Sequence, residues 1–333
     1  MLKHLNQVKI KPSRVVVLGA SGFISKHLQN WCINNGIDNL AISSTDIDLT
    51  VTYNADRLAS LLLPGDSVVM ASMVTPEKGQ DYLTTMANLR MTETVCTALN
   101  LKQCAHFVYL SSDAVYDAQK IPLDEDSARE PTDLYALSHI AREMMLEKEF
   151  FKLKIPFCFL RLTAVYGPGD THNAYGPNRF VRMALSEGRI ILYGNGEERR
   201  SFIFINDLIK IMGLVLSHSS IGTINIAIQP AISFKEIAQQ IANLLSQSVI
   251  FKYETRTVPI IHRPYKPTQI FRFLYNMGRP IGQIVHRTFV NSALFEAFPN
   301  FTFTPLRQGL SSFIDMEKNI NSSNSSNLID SES

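Results

Sequence analysis

Short apolar segments alternate with longer helical segments through the first half of the chain. Residues 15–18 are mostly β-branched, which is typical of a strand buried on both faces of a parallel sheet. The same pattern predicts further strands at 40–42, 67–71, 107–110 and 156–162, and helices that include 82–99 and 134–151. Such regular alternation predicts an α/β fold with a doubly wound parallel sheet and right-handed crossovers.

The second half of the chain is less regular. Residues 190–196 have the pattern of a hairpin, and Ser233 and Glu236 form the sequence signature of a capping box before a helix. The predicted organisation is a Rossmann domain over 1–165, a smaller α+β substrate-binding domain over 166–316 whose segment 207–228 packs back on the first domain, and a disordered polar tail over 317–333.

Composition and charge exclude several classes of protein. The 333 residues include 32 basic and 30 acidic ones, so the net charge of +2 creates no field that would attract nucleic acid. No apolar run approaches the roughly 18 residues that a membrane span needs, and the polar N-terminal segment does not have the pattern of a signal peptide. The four scattered cysteines have no metal-ligand spacing. We therefore expect a cytoplasmic protein without a metal, a membrane partner or a nucleic-acid partner.

A glycine-bearing turn follows the first of the predicted strands. Gly19 and Gly22 lie between that strand and a helix, and Ser25 takes the place of a third glycine. Glycines there allow close approach of the backbone to a pyrophosphate, and the helix N-terminus supplies free N–H donors. The turn therefore predicts a dinucleotide-binding site.

Several motifs resemble those of the extended short-chain dehydrogenase/reductase family, in the NAD-dependent epimerase/dehydratase group that acts on nucleotide sugars. The resemblance runs from about residue 14 to residue 314. It implies cofactor contacts from Gly19, Ser21, Gly22, Phe23, Ile24, Asp48, Leu49, Ala71, Ser72, Asn88, Tyr135 and His139. The cofactor is expected to be NAD, with NADP as the alternative, because residues 43–46 offer hydroxyls first and no arginine.

The catalytic residues implied by the resemblance are Ser112, Tyr135 and His139. Tyr135 and His139 occupy the positions of the family's Y-x-x-x-K motif, and a spacing of four places both on one helical face. The phenol is expected to exchange a proton with a substrate hydroxyl, while residue 139 contacts the cofactor ribose. Histidine in place of lysine leaves three interpretations open: a weaker cation that depends on pH, a ribose hydrogen-bonder only, or a site without turnover.

Asp113 and Ala114 bear on the type of reaction. In the sugar 4,6-dehydratases that this segment also resembles, Asp is followed by Glu, whereas here Ala114 takes the place of the Glu. Without that carboxylate, proton abstraction from the sugar carbon has no base, so dehydration is disfavoured. Asp113 is expected either near the substrate or as a group that holds a loop.

The resemblance also implies a substrate site in the second domain. Arg200 is expected to clamp a diphosphate, with Asn178 and Arg179 as further nucleotide contacts, and the segment 262–282 is expected to set substrate identity. The predicted function is a nucleotide-sugar epimerase or 4-ketoreductase. The alternatives are a cofactor-binding protein without turnover and a reductase of a non-sugar carbonyl. By analogy of fold, a homodimer is expected through the helices that carry Asn88 and Tyr135.

Overall fold

The computed structural model describes residues 2–116, 121–131, 133–171, 173, 176–245, 247–255, 284 and 286–329. The strands are β1 Lys3–His4, β2 Arg14–Leu18, β3 Asp38–Ile42, β4 Asp66–Met70, β5 His106–Ser112, β6 Phe157–Leu162, β7 Ala164–Tyr166, β8 Arg189–Tyr193, β9 Arg199–Arg200, β10 Phe202–Phe204, β11 Ser220–Ile226, β12 Ile232–Ser233 and β13 Ile250–Glu254. The helices are α1 Phe23–Asn34, α2 Ala55–Leu61, α3 Tyr82–Leu101, α4 Leu134–Leu153, α5 Gly176–Glu187, α6 Ile205–Ser217, α7 Phe234–Leu244, α8 Ser292–Ala297 and α9 Leu306–Ile329, with 3₁₀ turns at Thr52–Asn54 and Asp113–Val115.

The central sheet has seven strands in the order β1-β11-β6-β5-β4-β2-β3. All neighbours are parallel except β1 and β11 at one edge. The predicted doubly wound α/β sheet is therefore confirmed. After β2 the chain forms β3 on one side of that strand and then crosses over to form β4 on its other side. The crevice between the ends of β2 and β4 is therefore the topological switch point, where such sheets bind ligands.

Alternate residues of the inner strands face two separate apolar layers. Val15 and Val17 point into a core with α1 and α6, whereas Val16 and Leu18 point into a core with α2, α3 and α4. All four side chains are fully buried. This double burial explains why the strands are continuous apolar runs rather than alternating ones.

Part of the chain after β7 returns to the central sheet and its helices. Helix α6 packs on α1, and β11 pairs in parallel with β6 in the central sheet. Helix α7 begins with the predicted capping box, in which the Ser233 hydroxyl accepts from the backbone N–H of Glu236 and the Glu236 carboxylate accepts from that of Ser233.

Two local predictions differ from the structure. Residues 190–196 do not form a hairpin, because β8 pairs in parallel with β13, some sixty residues later in the chain. The predicted disordered tail also differs, because α9 continues to Ile329. Leu310, Phe313 and Ile314 are buried and anchor this helix, and extending an anchored helix costs far less than nucleating one.

A buried ion pair fixes α4 against the sheet. Arg161 of β6 donates from Nε and Nη2 to the two carboxylate oxygens of Glu143, at 3.0 and 2.8 Å, and the Ser111 hydroxyl donates to the same carboxylate at 2.6 Å. Burial by itself would lower the pKa of Arg161, but the hydrogen bonds that it donates to Glu143 and the negative charge of that carboxylate outweigh burial and raise the pKa. The pair therefore positions α4 relative to the ends of β5 and β6.

We predict that Glu143→Gln lowers the free energy of unfolding by about 3–5 kcal/mol, because it leaves the guanidinium of Arg161 buried without a counter-ion. The measurement is urea denaturation at pH 7. The matched control on the same helix is Glu149→Gln, which removes the solvent-accessible pair with Lys152 and should cost about 1 kcal/mol or less. Equal losses in the two variants would contradict the assigned role of Glu143.

Candidate active site

The glycine turn after β2 packs directly against the chain that leaves β4. Gly19 has a φ of +89°, and a Cβ built there would lie 2.8 Å from both Cα and N of Ser72. The backbone N–H groups of Gly19 and Ala20 donate to the Ile42 carbonyl at 2.9 and 3.0 Å, which ties the turn to the end of β3 as well. Only glycine satisfies both the left-handed conformation and this close approach.

The first turn of α1 has the features of an anion site. Its N-cap is Gly22, which has no side chain to cap the helix, and the first turn contains no acidic residue. The helix N-terminus therefore presents backbone N–H groups and a partial positive charge without a competing carboxylate. The buried hydroxyls of Ser25 and Ser72 also have no hydrogen-bond partner among the described residues. These groups fit a dinucleotide phosphate.

The turn after β3 carries a carboxylate in addition to its hydroxyls. Asp46 accepts from the backbone N–H and the hydroxyl of Ser43, at 2.9 and 2.6 Å. These hydrogen bonds lower the pKa of Asp46. An anion therefore lies where a dinucleotide fold places the adenosine ribose.

Other predicted cofactor residues stabilise the walls of the crevice. The side-chain amide of Asn88 is buried and binds both the N–H and the carbonyl of Val74, at 2.8 and 3.1 Å, and its contact with a cofactor stays a prediction. The amide fixes the segment that follows Ala71 and Ser72. The Asp48 carboxylate accepts from the N–H and hydroxyl of Thr50, and Leu49 is buried beside them.

Tyr135 and His139 lie on the same face of α4, with ring centroids 4.7 Å apart. Asp133 caps this helix by accepting from the backbone N–H of Ala136 at 2.8 Å. Tyr135 is half-buried, whereas His139 is only 3% exposed. Tyr135 therefore retains exposed surface in the first turn of α4, whereas the imidazole of His139 is buried.

The environment of His139 keeps its imidazole neutral. Nδ1 shares a 2.8 Å hydrogen bond with the hydroxyl of Tyr109. Burial lowers the pKa of His139 to about 3, and the charge of Arg142 lowers it further in the same direction. These features favour the interpretation of His139 as a ribose hydrogen-bonder over that of a pH-dependent cation. Its buried Nε2 has no partner among the described residues, which fits a hydrogen bond to a ribose hydroxyl.

Ser112 ends β5 and caps the 3₁₀ turn that begins at Asp113 and packs on α4. The Ser112 hydroxyl accepts from the N–H of Ala114 at 3.1 Å and remains half-exposed at the end of β5. Asp113 binds Arg287, whose Nη1 donates to its carbonyl at 2.6 Å and to its carboxylate at 3.2 Å. This contact ties the turn to the segment that carries Arg287, and a place for Asp113 near the substrate stays a prediction.

The predicted substrate residues are in three different environments. Arg200 binds Glu198 through Nε and Nη2, both at 2.6 Å, and Arg179 lies 5.9 Å from the ring centre of Tyr193. Asn178 is buried and binds the N–H of Gly167 and the carboxylate of Asp170. Both ends of its amide thus have partners within the protein, and its role as a substrate contact stays a prediction. The segment 262–282 lies outside the described residues.

Two arginines of the site are not among the predicted site residues. The backbone N–H of Arg287 donates to the Arg199 carbonyl at 3.0 Å, so this residue joins the strand that carries Arg200 to the turn that carries Ser112. Arg142 is fully buried and donates from Nη2 to the Ser72 carbonyl at 2.8 Å. A signal for Arg142 was present in the sequence, because positions 135, 139 and 142 share one helical face.

The described residues contain no cluster of His, Cys, Asp or Glu that could hold a metal ion. In the same part of the chain, no helix combines the length and the apolar character that crossing a bilayer requires. The four cysteines are free thiols.

A parallel sheet with a glycine turn at its switch point, and a tyrosine helix beside it, defines a Rossmann dinucleotide-binding protein. The sequence profile of the NAD dependent epimerase/dehydratase family matches residues 15–227. The chain belongs to this family.

Characterised relatives include both dehydratases and epimerases. A dTDP-D-glucose 4,6-dehydratase of Homo sapiens is 23% identical over 263 residues, which cover 71% of this chain and 75% of the relative. An ADP-L-glycero-D-manno-heptose-6-epimerase of Thiobacillus denitrificans is 24% identical over 255 residues, which cover 68% of this chain and 77% of the relative.

Solved structures share the fold over nearly the whole chain. A UDP-glucuronic acid 4-epimerase from Bacillus cereus, in complex with UDP-glucuronic acid and NAD, has a TM-score of 0.73 at 18% identity and covers 92% of this chain and 99% of its own. A GDP-L-fucose synthetase from Naegleria fowleri, bound to NADP, has a TM-score of 0.75 at 15% identity and covers 94% and 96%.

We predict that His139 makes unfolding depend on pH below its ordinary pKa of about 6.5. Between that value and about 3, the unfolded chain binds a proton that the folded chain does not, so stability present above pH 6.5 is lost as the pH falls. In His139→Asn, the slope of unfolding free energy against pH should decrease by about one proton, or about 1.4 kcal/mol per pH unit.

The measurement is urea denaturation at several pH values from 8 to 4.5. His106→Asn serves as a positive control, since burial also lowers the pKa of His106, to about 4. An unchanged slope in His139→Asn would mean that the folded protein already binds this proton.

Proposed function

We propose that this protein is an NAD-dependent nucleotide-sugar epimerase or 4-ketoreductase, with Tyr135 as the general acid and base. The observation that carries the proposal is the continuous set of contacts from the glycine turn to the phenol. Gly19 packs on Ser72, whose carbonyl binds Arg142. The Arg142 guanidinium lies over the ring of Tyr109. The Tyr109 hydroxyl binds His139, whose ring touches that of Tyr135. The nucleotide-sugar activities of the relatives support the substrate class.

The residues that would hold NAD follow from the crevice. The N–H groups at the start of α1 fit the pyrophosphate, and Nε2 of His139 fits a ribose hydroxyl. The Asp46 carboxylate would accept from an adenosine ribose hydroxyl and would repel a 2′-phosphate, which favours NAD over NADP. When bound, the nicotinamide accepts a hydride from a sugar carbon or returns one.

Tyr135 and Ser112 would manage the sugar oxygen. As a sugar alcohol loses its hydride, the phenolate oxygen of Tyr135 takes the hydroxyl proton, and a carbonyl forms. In the reverse direction the phenol returns that proton to the oxygen. The Ser112 hydroxyl, which caps the turn packed on α4, would donate to the same oxygen and orient it.

Dehydration is less well supported than epimerisation or ketone reduction. Elimination of water requires a base that removes a proton from carbon, and Ala114 has no carboxylate at the position where a 4,6-dehydratase has glutamate. The neighbouring Asp113 is bound by Arg287.

The second candidate function is cofactor binding without turnover, and the observation that favours it is the neutral His139 in the place of a lysine.

The diphosphate of a nucleotide sugar would bind at Arg200. Its guanidinium is about one-third exposed and already binds one carboxylate oxygen of Glu198 in a forked arrangement. A diphosphate offers the same geometry with more charge, so exchange of Glu198 for the substrate is a favourable substitution. Arg287 connects this strand to the turn of Ser112, which would couple substrate binding to the reacting end of the site.

We predict that Tyr135→Phe lowers kcat at least 100-fold with any nucleotide sugar that the wild type converts, because the variant has no group to exchange the hydroxyl proton. The Kd for NAD should change less than threefold, since the ring is retained. Fluorescence titrations should also show weaker binding of NADP than of NAD. Unchanged turnover in the variant would remove Tyr135 from the mechanism, and NAD binding without any turnover in the wild type would favour the second candidate function.

We also propose a homodimer through α3 and α4. Leu137, Met144 and Phe151 form a stripe at seven-residue spacing on the face of α4 opposite Tyr135, and they are 42%, 58% and 69% exposed. Leu83 and Met86 are exposed on the adjacent α3. Large exposed apolar patches of this kind mark interaction surfaces.

We predict that the wild type sediments as a dimer at micromolar concentration and that Met144→Glu shifts it to the monomer, because a buried unpaired carboxylate opposes association. Analytical ultracentrifugation measures both. Met316→Glu, at an exposed methionine on α9, is the control and should remain dimeric. A monomeric wild type would contradict the proposed interface.

A further inference from the structure

Arg142 is a buried cation whose partners are all neutral. It is fully buried, and its three hydrogen bonds go to the Thr92 hydroxyl at 2.8 Å, the Met73 sulfur at 2.7 Å and the Ser72 carbonyl at 2.8 Å. Among the described residues, it forms no ion pair with a carboxylate. Burial of an uncompensated guanidinium is costly, so its retention calls for an anion that forms at the site.

The carboxylate next to Arg142 does not neutralise it. Glu143 is occupied by the guanidinium of Arg161, by the Ser111 hydroxyl and by Arg129 at 3.2 Å. Two oppositely charged neighbours on α4 therefore have separate environments. Glu143 faces β6, whereas Arg142 faces the crevice beside Ser72.

The location of Arg142 connects it to the proton-exchanging residue. Positions 135, 139 and 142 share one face of α4, and the Arg142 guanidinium lies 5.0 Å from the ring centre of Tyr109, the residue that binds His139. The electrostatic effects agree with this placement. The negative charges that Tyr109 and Tyr135 acquire on ionisation raise the pKa of Arg142, although burial lowers it overall.

We propose that Arg142 is the positioning residue that supplies the fixed positive charge of this active site and stabilises the phenolate of Tyr135. The inference rests on the proposed function, in which Tyr135 exchanges a proton. The phenol has an ordinary pKa near 10 and needs a nearby cation to act as a base at neutral pH. His139 cannot supply that charge because it is neutral, whereas a guanidinium stays protonated throughout the working range.

The titratable and charged groups on this side of α4 come from three elements. His139 packs on the ring of Tyr135, Arg142 follows on the same helix and lies over the ring of Tyr109 from β5, and Asp113 with its partner Arg287 belongs to the turn that packs on α4. Burial raises the pKa of Tyr109 to about 12, so it does not ionise with Tyr135 near neutral pH. Arg142 is therefore the buried group of this set whose charge is constant and unpaired among the described residues.

The test is an NMR titration of the ¹³Cζ-labelled tyrosines, in which Tyr135 is assigned by its loss in Tyr135→Phe. In the wild type, we expect a pKa for Tyr135 at least one unit below 10. Arg142→Met should raise that pKa by at least one unit and move the acid limb of the turnover profile equally, whereas Arg142→Lys should retain most of the shift. The methionine is expected to fold, because replacing a buried charge by an apolar side chain of similar size is often neutral for stability.

Two control variants separate charge from structure. Thr92→Val removes a hydrogen bond of Arg142 but keeps its charge, so the pKa of Tyr135 should not move. His139→Gln should also leave the pKa of Tyr135 unchanged. If His139→Gln instead raises the pKa of Tyr135 by one unit or more, the charge belongs to His139 and the inference is overturned. If Arg142→Met does not fold, the wild-type pKa decides, since a value of 10 or above excludes a stabilised phenolate.

The titration needs no substrate, so the inference and the proposed function can fail separately. A shifted pKa of Tyr135 without turnover of any nucleotide sugar would retain the charge assignment and reject the enzyme. If the wild type converts a nucleotide sugar and Arg142→Met leaves the pKa of Tyr135 unchanged, the proposed function is retained and the charge assignment is rejected. Loss of NAD affinity in Arg142→Met without a change in the pKa of Tyr135 would assign the guanidinium to the cofactor and overturn the inference.

Discussion

The close approach of Gly19 to Ser72 is the contact on which the arrangement of the site depends. With no room for a Cβ between them, the turn after β2 and the chain leaving β4 form one continuous wall at the switch point of the sheet. This contact aims the start of α1 into the crevice. It also places the Ser72 carbonyl where Arg142 can bind it, so the anion-binding end and the tyrosine end of the site share a rigid wall.

Helix α4 carries two arrangements of buried charge with different consequences. The carboxylate of Glu143 is bound by Arg161 and Ser111, which fixes the helix to two strands of the sheet. Arg142, the preceding residue, has only neutral partners among the described residues. The two adjacent charges thus lie in separate environments, one paired with the sheet and the other beside neutral dipoles.

Under the proposals above, two residues of this chain divide the work that a lysine four positions after the tyrosine would perform. The neutral imidazole of His139 offers Nε2 for a ribose hydrogen bond, and its Nδ1 is held by Tyr109. Arg142 provides the charge from one turn further along the same helical face. A single lysine point charge is thus replaced by a hydrogen-bonding group and a separate cation that does not titrate.

Local patterns predicted a large part of this structure. The strands, crossovers and capping box depend on residues close in sequence, and the shared face of Tyr135 and His139 follows from helical geometry alone. Patterns could not identify the pairing of β8 with β13, because the two strands are distant in the chain. They also could not show that the amides of Asn88 and Asn178 are used within the protein, because packing decides which buried backbone groups need a partner.

The sequence by itself determined the class of fold, the glycine turn after β2 and the shared helical face of Tyr135 and His139, since each follows from the order and spacing of residues along one segment. Only the tertiary structure decided that His139 is neutral and that Arg142 is a buried cation without a carboxylate partner in the described chain. The physical reason is that charge state depends on desolvation and on neighbouring dipoles. Those neighbours come from β5, α3 and the segment after β4, which are far apart in sequence.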